Sequence, residues 1–279
     1  MLLSRRKFLK QFGVISLAGF ACNYPVFIER YLIETNYYKI PVPNLPKQFH
    51  GLRIVHLSDF HYGLLQPLVF VKHVIDRANR LNPDLIVCTG DYVHSRRTTD
   101  EIDTVWPELL RLRAPLGVFS VLGNHDHWAS TERSLHWLDK SGQGIHHKVV
   151  PITRNGQRIW LIGAGDFWED HRDLDKIIGE IPSSECTVVL AHNPDTADTM
   201  YNHRINLFLC GHTHGGQVRV PFWGAPVLPV RNKSYDCGLC YTDTGIPIFI
   251  SRGIGWAILP VRFNCLPEIA VLELVGVNV

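Results

Sequence analysis

Five short segments, far apart in the chain, end in residues that bind divalent metals: Asp59-Phe60-His61, Gly90-Asp91, Gly123-Asn124-His125-Asp126, Ala191-His192-Asn193 and Gly211-His212-Thr213-His214. Their donors are the carboxylates of Asp59 and Asp91, the amide oxygen of Asn124 and the imidazoles of His61, His192, His212 and His214. No thiolate is among them. A mixed oxygen and nitrogen set suits Mn, Fe, Zn or Co ions and does not describe a structural tetra-cysteine zinc site. The donors are too many for one tetrahedral ion and enough for two that share a carboxylate. Two ions roughly 3.5–4 Å apart can clamp a phosphoryl group, one activating a water and both offsetting the charge on its oxygens.

Elements that would position these groups can be read beside them. Apolar runs at Ile54 to Leu57, Leu85 to Cys88, Val118 to Leu122, Val188 to Leu190 and Leu207 to Cys210 each precede one of the segments and read as buried strands. Ligands at the carboxyl ends of several strands converge, because open α/β sheets build their sites at that edge. His212 and His214, two residues apart, point to one side of an extended segment. Further strands are expected at Ile159 to Ile162, Ile246 to Ile250 and Ile269 to Leu274. A helix is expected after Pro67, with Leu68, Val71, Val74, Ile75, Ala78 and Leu81 on one stripe. Residues 130–140 and 194–202 also read as helical. Periodicity alone gives an α/β fold with mixed strands.

In their order, the five segments resemble the D-x-H, G-D, G-N-H-D/E, H and G-H-x-H pattern of the calcineurin-like metallophosphoesterase superfamily. The resemblance implies a four-layer αββα sandwich with a dinuclear metal site at the strand ends. It implies that Asp59, His61, Asp91 and His214 hold the first ion, and that Asp91 bridges to a second completed by Asn124, His192 and His212. It implies in-line attack on phosphorus by a hydroxide between the ions, with His125 protonating the departing oxygen. Gly211-His212-Thr213-His214-Gly215-Gly216-Gln217 narrows the likeness to a bacterial branch of twin-arginine-signal, membrane-associated phosphodiesterases. Ser251 to Gly255, Leu259 to Phe263 and Pro267 to Ile269 extend it toward the C-terminus. Some relatives of that branch cleave the diphosphate of UDP-2,3-diacylglucosamine in lipid A synthesis, so a lipid-linked pyrophosphate is the alternative substrate. One departure is notable: where relatives carry an Asp that orients the acid His, this chain has Tyr92-Val93-His94. The partner of His125 is therefore open, and Asp126 could orient it or support the metal ligands.

Other residues have plainer readings. His56, His73, His136, His146, His147, His171 and His203 are expected to be surface or hydrogen-bonded histidines. His94 and His127 adjoin the motifs and could line the cleft. Arg252 and Arg262 are candidates for binding an anionic substrate, because guanidinium matches phosphate oxygens, with a surface ion pair as the equal alternative. Gly215 and Gly216 offer no side chain to obstruct a ligand. Phe222 and Trp223 are expected in the core, contact with an acyl chain or a base being the alternative. Cys88, Cys186 and Cys210 read as small buried residues. Cys237-x-x-Cys240, lacking a second pair, reads as a local disulfide or two free thiols.

Ser4-Arg5-Arg6-Lys7-Phe8-Leu9-Lys10, followed by the apolar stretch Phe12 to Ala21, has the layout of an export signal and resembles a twin-arginine signal. The expected organisation is an export signal or anchor at 1–28, an extended arm or edge strand at 29–48, and a metallophosphoesterase domain at 49–279. Export to the periplasm or the outer face of the inner membrane is the first expectation. An uncleaved anchor on the cytoplasmic face, with contact to the membrane surface, is the second. A net charge of +2 and 19% charged residues describe no basic face for nucleic acid. The chain is expected to be a monomer and to hydrolyse a phosphodiester. A pyrophosphatase and a non-catalytic metal-binding scaffold are the competing readings.

Overall fold

The computed structural model describes residues 5–179, 181–202 and 204–277, so Ser4 of the basic start and His203 lie outside it. The first helix, α1, spans Arg5–Phe27 and carries Pro25 near its end. No helix among the described residues is long and apolar enough to cross a membrane.

Two sheets follow. The first contains β1 (Glu34–Pro43), β2 (Arg53–Leu57), β3 (Leu85–Cys88), β4 (Val118–Ser120) and β11 (Glu268–Val277), in the order β1-β11-β2-β3-β4. Strands β2, β3 and β4 are parallel, and β11 lies antiparallel to β2. The second contains β5 (Val149–Arg154), β6 (Gln157–Gly163), β7 (Thr187–Leu190), β8 (Leu207–Cys210), β9 (Gly238–Tyr241) and β10 (Pro247–Ile250), in the order β5-β6-β7-β8-β10-β9. Its central strands β6, β7, β8 and β10 are parallel, and both edge strands are antiparallel.

Side chains alternate between faces, as strand geometry requires. Ile54, Leu85 and Val87 point between the sheets and pack with Leu161, Val188, Leu190 and Leu209. Val55, Leu57, Ile86 and Cys88 point outward against three helices: α2 (Leu68–Arg80), α3 (Asp100–Leu109) and α4 (Asn124–Lys140). The outer face of the second sheet is covered more thinly, by α5 (Leu174–Ile178) and a 3-10 turn at Pro194–Asp198. The layers are thus α, β, β and α.

Two elements differ from the reading of the sequence. The helix expected at 194–202 is only the 3-10 turn. Asn193 caps it by accepting from Asp195 N, and Thr199 returns to extended backbone with ψ 161°, which ends it. Residues 29–48, read as an extended arm or edge strand, carry the edge strand: β1 pairs with β11 through ten residues and buries Ile40 and Val42 between the sheets. Its Pro41 and Pro43 are tolerated because β1 is an edge strand. Helix α3 is an addition to the expected elements; Pro107 interrupts the pattern that Ile102, Val105, Trp106 and Leu109 make on its buried stripe. Within α4, Ser130 (φ −169°, ψ 106°) breaks the helix between its first turns and residues 131–140.

Leu272 of β11 lies fully buried in the layer between the sheets, opposite Ile54. Leu272→Ala is expected to cost about 2–5 kcal/mol in urea denaturation. A loss below about 1 kcal/mol would contradict the assignment of this layer as the main core.

Candidate metal centre

After β2, β3 and β8 the backbone turns sharply. Asp59 (φ 54°), His61 (φ 46°), Asp91 (φ 55°), His212 (φ 69°) and His214 (φ 53°) all adopt the left-handed conformation. That region costs a non-glycine residue roughly 1–2 kcal/mol. Strain of this kind concentrates where a site needs side chains thrown back over the strand ends. Gly123 serves the same crowding: a Cβ there would collide with Asp91 Oδ1 and lie 2.7 Å from His192 Nδ1.

The side chains converge as two trios. Asp59, His61 and His214 offer donor atoms within 4.8 Å of one another, and so do Asp91, His192 and His212. In the first trio His214 Nε2 lies 3.2 Å from Asp59 Oδ1 and 3.1 Å from His61 Nε2. In the second, His192 Nε2 lies 3.1 Å from His212 Nδ1 and 3.2 Å from Asn124 Oδ1. Asp91 Oδ2 stands between them, 3.4 Å from His61 Nε2 and 3.3 Å from His192 Nε2. Metal bonds of about 2.0–2.2 Å at near-tetrahedral or right angles place neighbouring donors roughly 3–3.5 Å apart. The separations fit.

The tautomers fit as well. His192 Nδ1–H donates to the Thr89 carbonyl (2.7 Å) and His212 Nε2–H to the Pro229 carbonyl (3.0 Å). Each ring therefore turns its other nitrogen into the cluster, the arrangement that orients a metal-ligating histidine.

Charge points the same way. Burial would push the carboxyls of Asp59 and Asp91 up, yet the imidazoles of His214 and His192 beside Asp59, and of His192 and His125 beside Asp91, hold both below the usual carboxylate range. Burial keeps His61 and His212 neutral, His212 pushed down to about 3. His192 is driven down by burial but pulled up by Asp91 to about 10. Two buried carboxylates thus draw positive charge onto a neighbouring imidazole, a role that divalent ions would take over.

His125 opens α4 beside this cluster. Its backbone N–H donates to Asp91 Oδ1 (2.8 Å), and its Nδ1–H donates to the His94 carbonyl (2.9 Å). The open question of its partner is thus answered by a backbone oxygen. Asp126 serves elsewhere, its carboxylate accepting the N–H groups of Asp91, Tyr92 and Gly123. The His94 ring packs on Trp256 next to His125, while His127 turns away to Thr131 and His146.

The two arginines are not placed to bind substrate. Arg262 is fully buried, and its guanidinium donates to the carbonyls of Arg252, Gly253, Gly255 and Cys265. Arg252 is paired with Glu34 (2.9 Å) and Glu268 (3.2 Å). Phe222 and Trp223 are not core residues either. The turn between Val220 and Gly224 lifts them into solvent, Trp223 remaining 77% exposed. Cys237 and Cys240 are free thiols, and Cys88, Cys186 and Cys210 are buried.

Reading the sequence missed three contributors. The Glu101 carboxylate accepts His94 N (3.1 Å) and Ser95 N (2.8 Å), and so holds the segment whose carbonyl orients His125. Trp168 packs edge-on against His212 (4.5 Å), and Trp128 lies between Trp168 and His125. No local pattern marks any of them, since each acts on residues from another segment.

The fold and this constellation define a phosphoesterase of a known kind. Residues 52–216 match the calcineurin-like phosphoesterase family, and the chain belongs to that family: it is a metallophosphoesterase. It is similar to the Bacillus subtilis metallophosphoesterase YkuE, at 33% identity over 99% of both chains. It is 31% identical to the Escherichia coli phosphodiesterase YaeI, over 98% of this chain and 100% of that one. It is 27% identical to the Chlamydia trachomatis UDP-2,3-diacylglucosamine pyrophosphatase LpxG, over 82% of this chain and 86% of that one.

Ions held by this cluster must stabilise the strained strand ends. A ligand at 1,000 times its Kd stabilises by about 4 kcal/mol, and each kcal/mol moves the midpoint of a domain this size by about 2–4 °C. Chelation is therefore expected to lower the thermal midpoint by about 10 °C. An unchanged midpoint would show that no ion is held here.

Proposed function

We propose that the protein is a dinuclear metal-dependent phosphodiesterase in which Asp59, His61, Asp91 and His214 hold one ion and Asp91, Asn124, His192 and His212 the other. The observation that carries this reading is the position of Asp91 Oδ2, 3.4 Å from His61 and 3.3 Å from His192, one histidine of each trio. Mn, Fe or Zn would suit the donors, and elemental analysis of protein purified without chelators discriminates among them. Two such ions would supply Lewis-acid charge for the phosphoryl oxygens and an acidified water.

The chain's own residues do the rest. His125 carries a proton at Nε2 and delivers it to the leaving oxygen, its ring held by the His94 carbonyl and its backbone by Asp91. Glu101 fixes the segment that carries that carbonyl. Asp126 ties Gly123 to the backbone of Asp91, so the acid and the shared carboxylate move as one piece.

A positioned acid contributes about 10²–10⁴-fold, and most when the leaving group is a poor one. His125→Ala is expected to lower turnover of an alkyl phosphodiester by that factor, to affect bis(4-nitrophenyl) phosphate far less, and to retain its metal. Equal losses on both substrates, or loss of metal, would remove His125 from the role. Asp91→Asn is expected to weaken both ions at once, read by metal content and by diesterase turnover. Full activity would contradict a shared carboxylate.

A second substrate, a lipid-linked nucleotide-sugar pyrophosphate, is supported by the solvent-exposed apolar side chains Phe222, Trp223, Ile258 and Leu259 and by the likeness to LpxG. Assay of UDP-2,3-diacylglucosamine against simple diesters separates the two. The cationic start and the apolar stretch after it support export or an uncleaved anchor at the membrane. The mass of the mature N-terminus tells which.

A further inference from the structure

Outside the centre just described, a second set of metal-binding side chains meets. His127 lies in the first turns of α4, His146 and His147 lie between α4 and β5, and Asp170 follows the turn after β6. Donor atoms of His127, His146 and Asp170 all lie within 4.8 Å of one another. Asp170 Oδ2 alone receives His146 Nε2 at 2.7 Å and His147 Nε2 at 2.8 Å. Arg172 approaches the other oxygen, Oδ1, at 4.0 Å.

Hydrogen bonding does not account for the whole group. His127 Nδ1 is held by Thr131 Oγ1 at 3.2 Å, which leaves Nε2, and that atom is buried with no partner. The Nδ1 atoms of His146 and His147 are buried and unpartnered too. A buried nitrogen left unpaired is costly, and His127, with Nδ1 tied and Nε2 unpaired beside the cluster, has the arrangement of a metal ligand. His146 and His127 are each nine-tenths buried. The packing is specific as well. A Cβ on Gly165 would collide with His147 Cε1, so only glycine lets that ring approach. A cavity of about 460 Å³ lined by His147, His171 and Arg172 adjoins the His147 ring.

We propose that His127, His146 and Asp170, with His147 beside them, form a third metal site for a single divalent transition ion of the zinc type. Neutral imidazoles and one carboxylate are the donors such an ion takes in tetrahedral sites. On entry the ion would replace the short histidine–carboxylate hydrogen bonds with ligand separations nearer 3 Å. The site lies two residues along α4 from His125 and two residues from Trp168, which packs on His212. It would pin the two sides of the cleft wall to each other. It is separate from the dinuclear pair and does not depend on it.

The test is a Zn²⁺ titration by calorimetry on chelator-stripped full-length protein, with circular dichroism to confirm folding. Three equivalents are expected for the native chain, two for His146→Gln, and one for Asp91→Asn combined with His212→Ala. That last equivalent should vanish when His146→Gln is added. His127→Leu is the second probe. It removes no hydrogen bond to Asp170, so it would leave the stoichiometry untouched if the cluster holds only protons or an ordered water, and it should lose one equivalent if it holds an ion. Two equivalents in the native chain, His146→Gln and His127→Leu alike would overturn the third site while leaving the dinuclear reading intact. One equivalent in the native chain, lost in His146→Gln, would do the reverse.

Discussion

Two ionised carboxylates held out of water dominate this molecule. Asp59 and Asp91 are 0% and 2% exposed, and the ionisable groups that face them at close range are imidazoles, with one backbone N–H from His212 and one from His125 beside them. Burying an uncompensated carboxylate costs several kcal/mol even after relaxation. A fold that places two of them side by side must bring positive charge to the same place. Much of the architecture serves that end. Parallel strands β2, β3 and β4 of one sheet and β7 and β8 of the other all finish at the same edge. Left-handed residues then fold the donors inward, and backbone carbonyls of Thr89 and Pro229 decide which nitrogen each ring presents.

The same constraint explains why the centre is rigid. Asp126 holds three backbone N–H groups from two segments, and Gly123 allows β4's continuation to lie against Asp91 and His192. His125 is not appended to this cluster but built into it, since it is fastened to Asp91 through its own N–H. Ions bound here would relieve both the strain and the unpaired charge, and so couple stability to chemistry through one set of atoms.

Much of the centre was legible in the sequence because each donor sits within a few residues of an apolar run that could only be a buried strand. The local pattern carried the chemistry, and order along the chain carried the family. What stayed hidden depended on partners from elsewhere. Arg252 and Arg262 looked available until Glu34, Glu268 and a ring of carbonyls were found to occupy them. Phe222 and Trp223 looked like core because their apolarity is local, whereas their exposure is set by the turn that carries them. The Pro-rich stretch before β2, by contrast, was legible as an edge strand, because an edge is where a strand can spare its N–H groups. His146 and His147 carried no signal, since Asp170 and His127 reach them only through the fold.

The most direct test is to locate the ions. Anomalous diffraction from crystals grown with Mn²⁺ should show two peaks roughly 3.5–4 Å apart on either side of Asp91 Oδ2, one against Asp59, His61 and His214 and the other against Asn124, His192 and His212. A single peak, or a pair that does not share Asp91, would contradict the account.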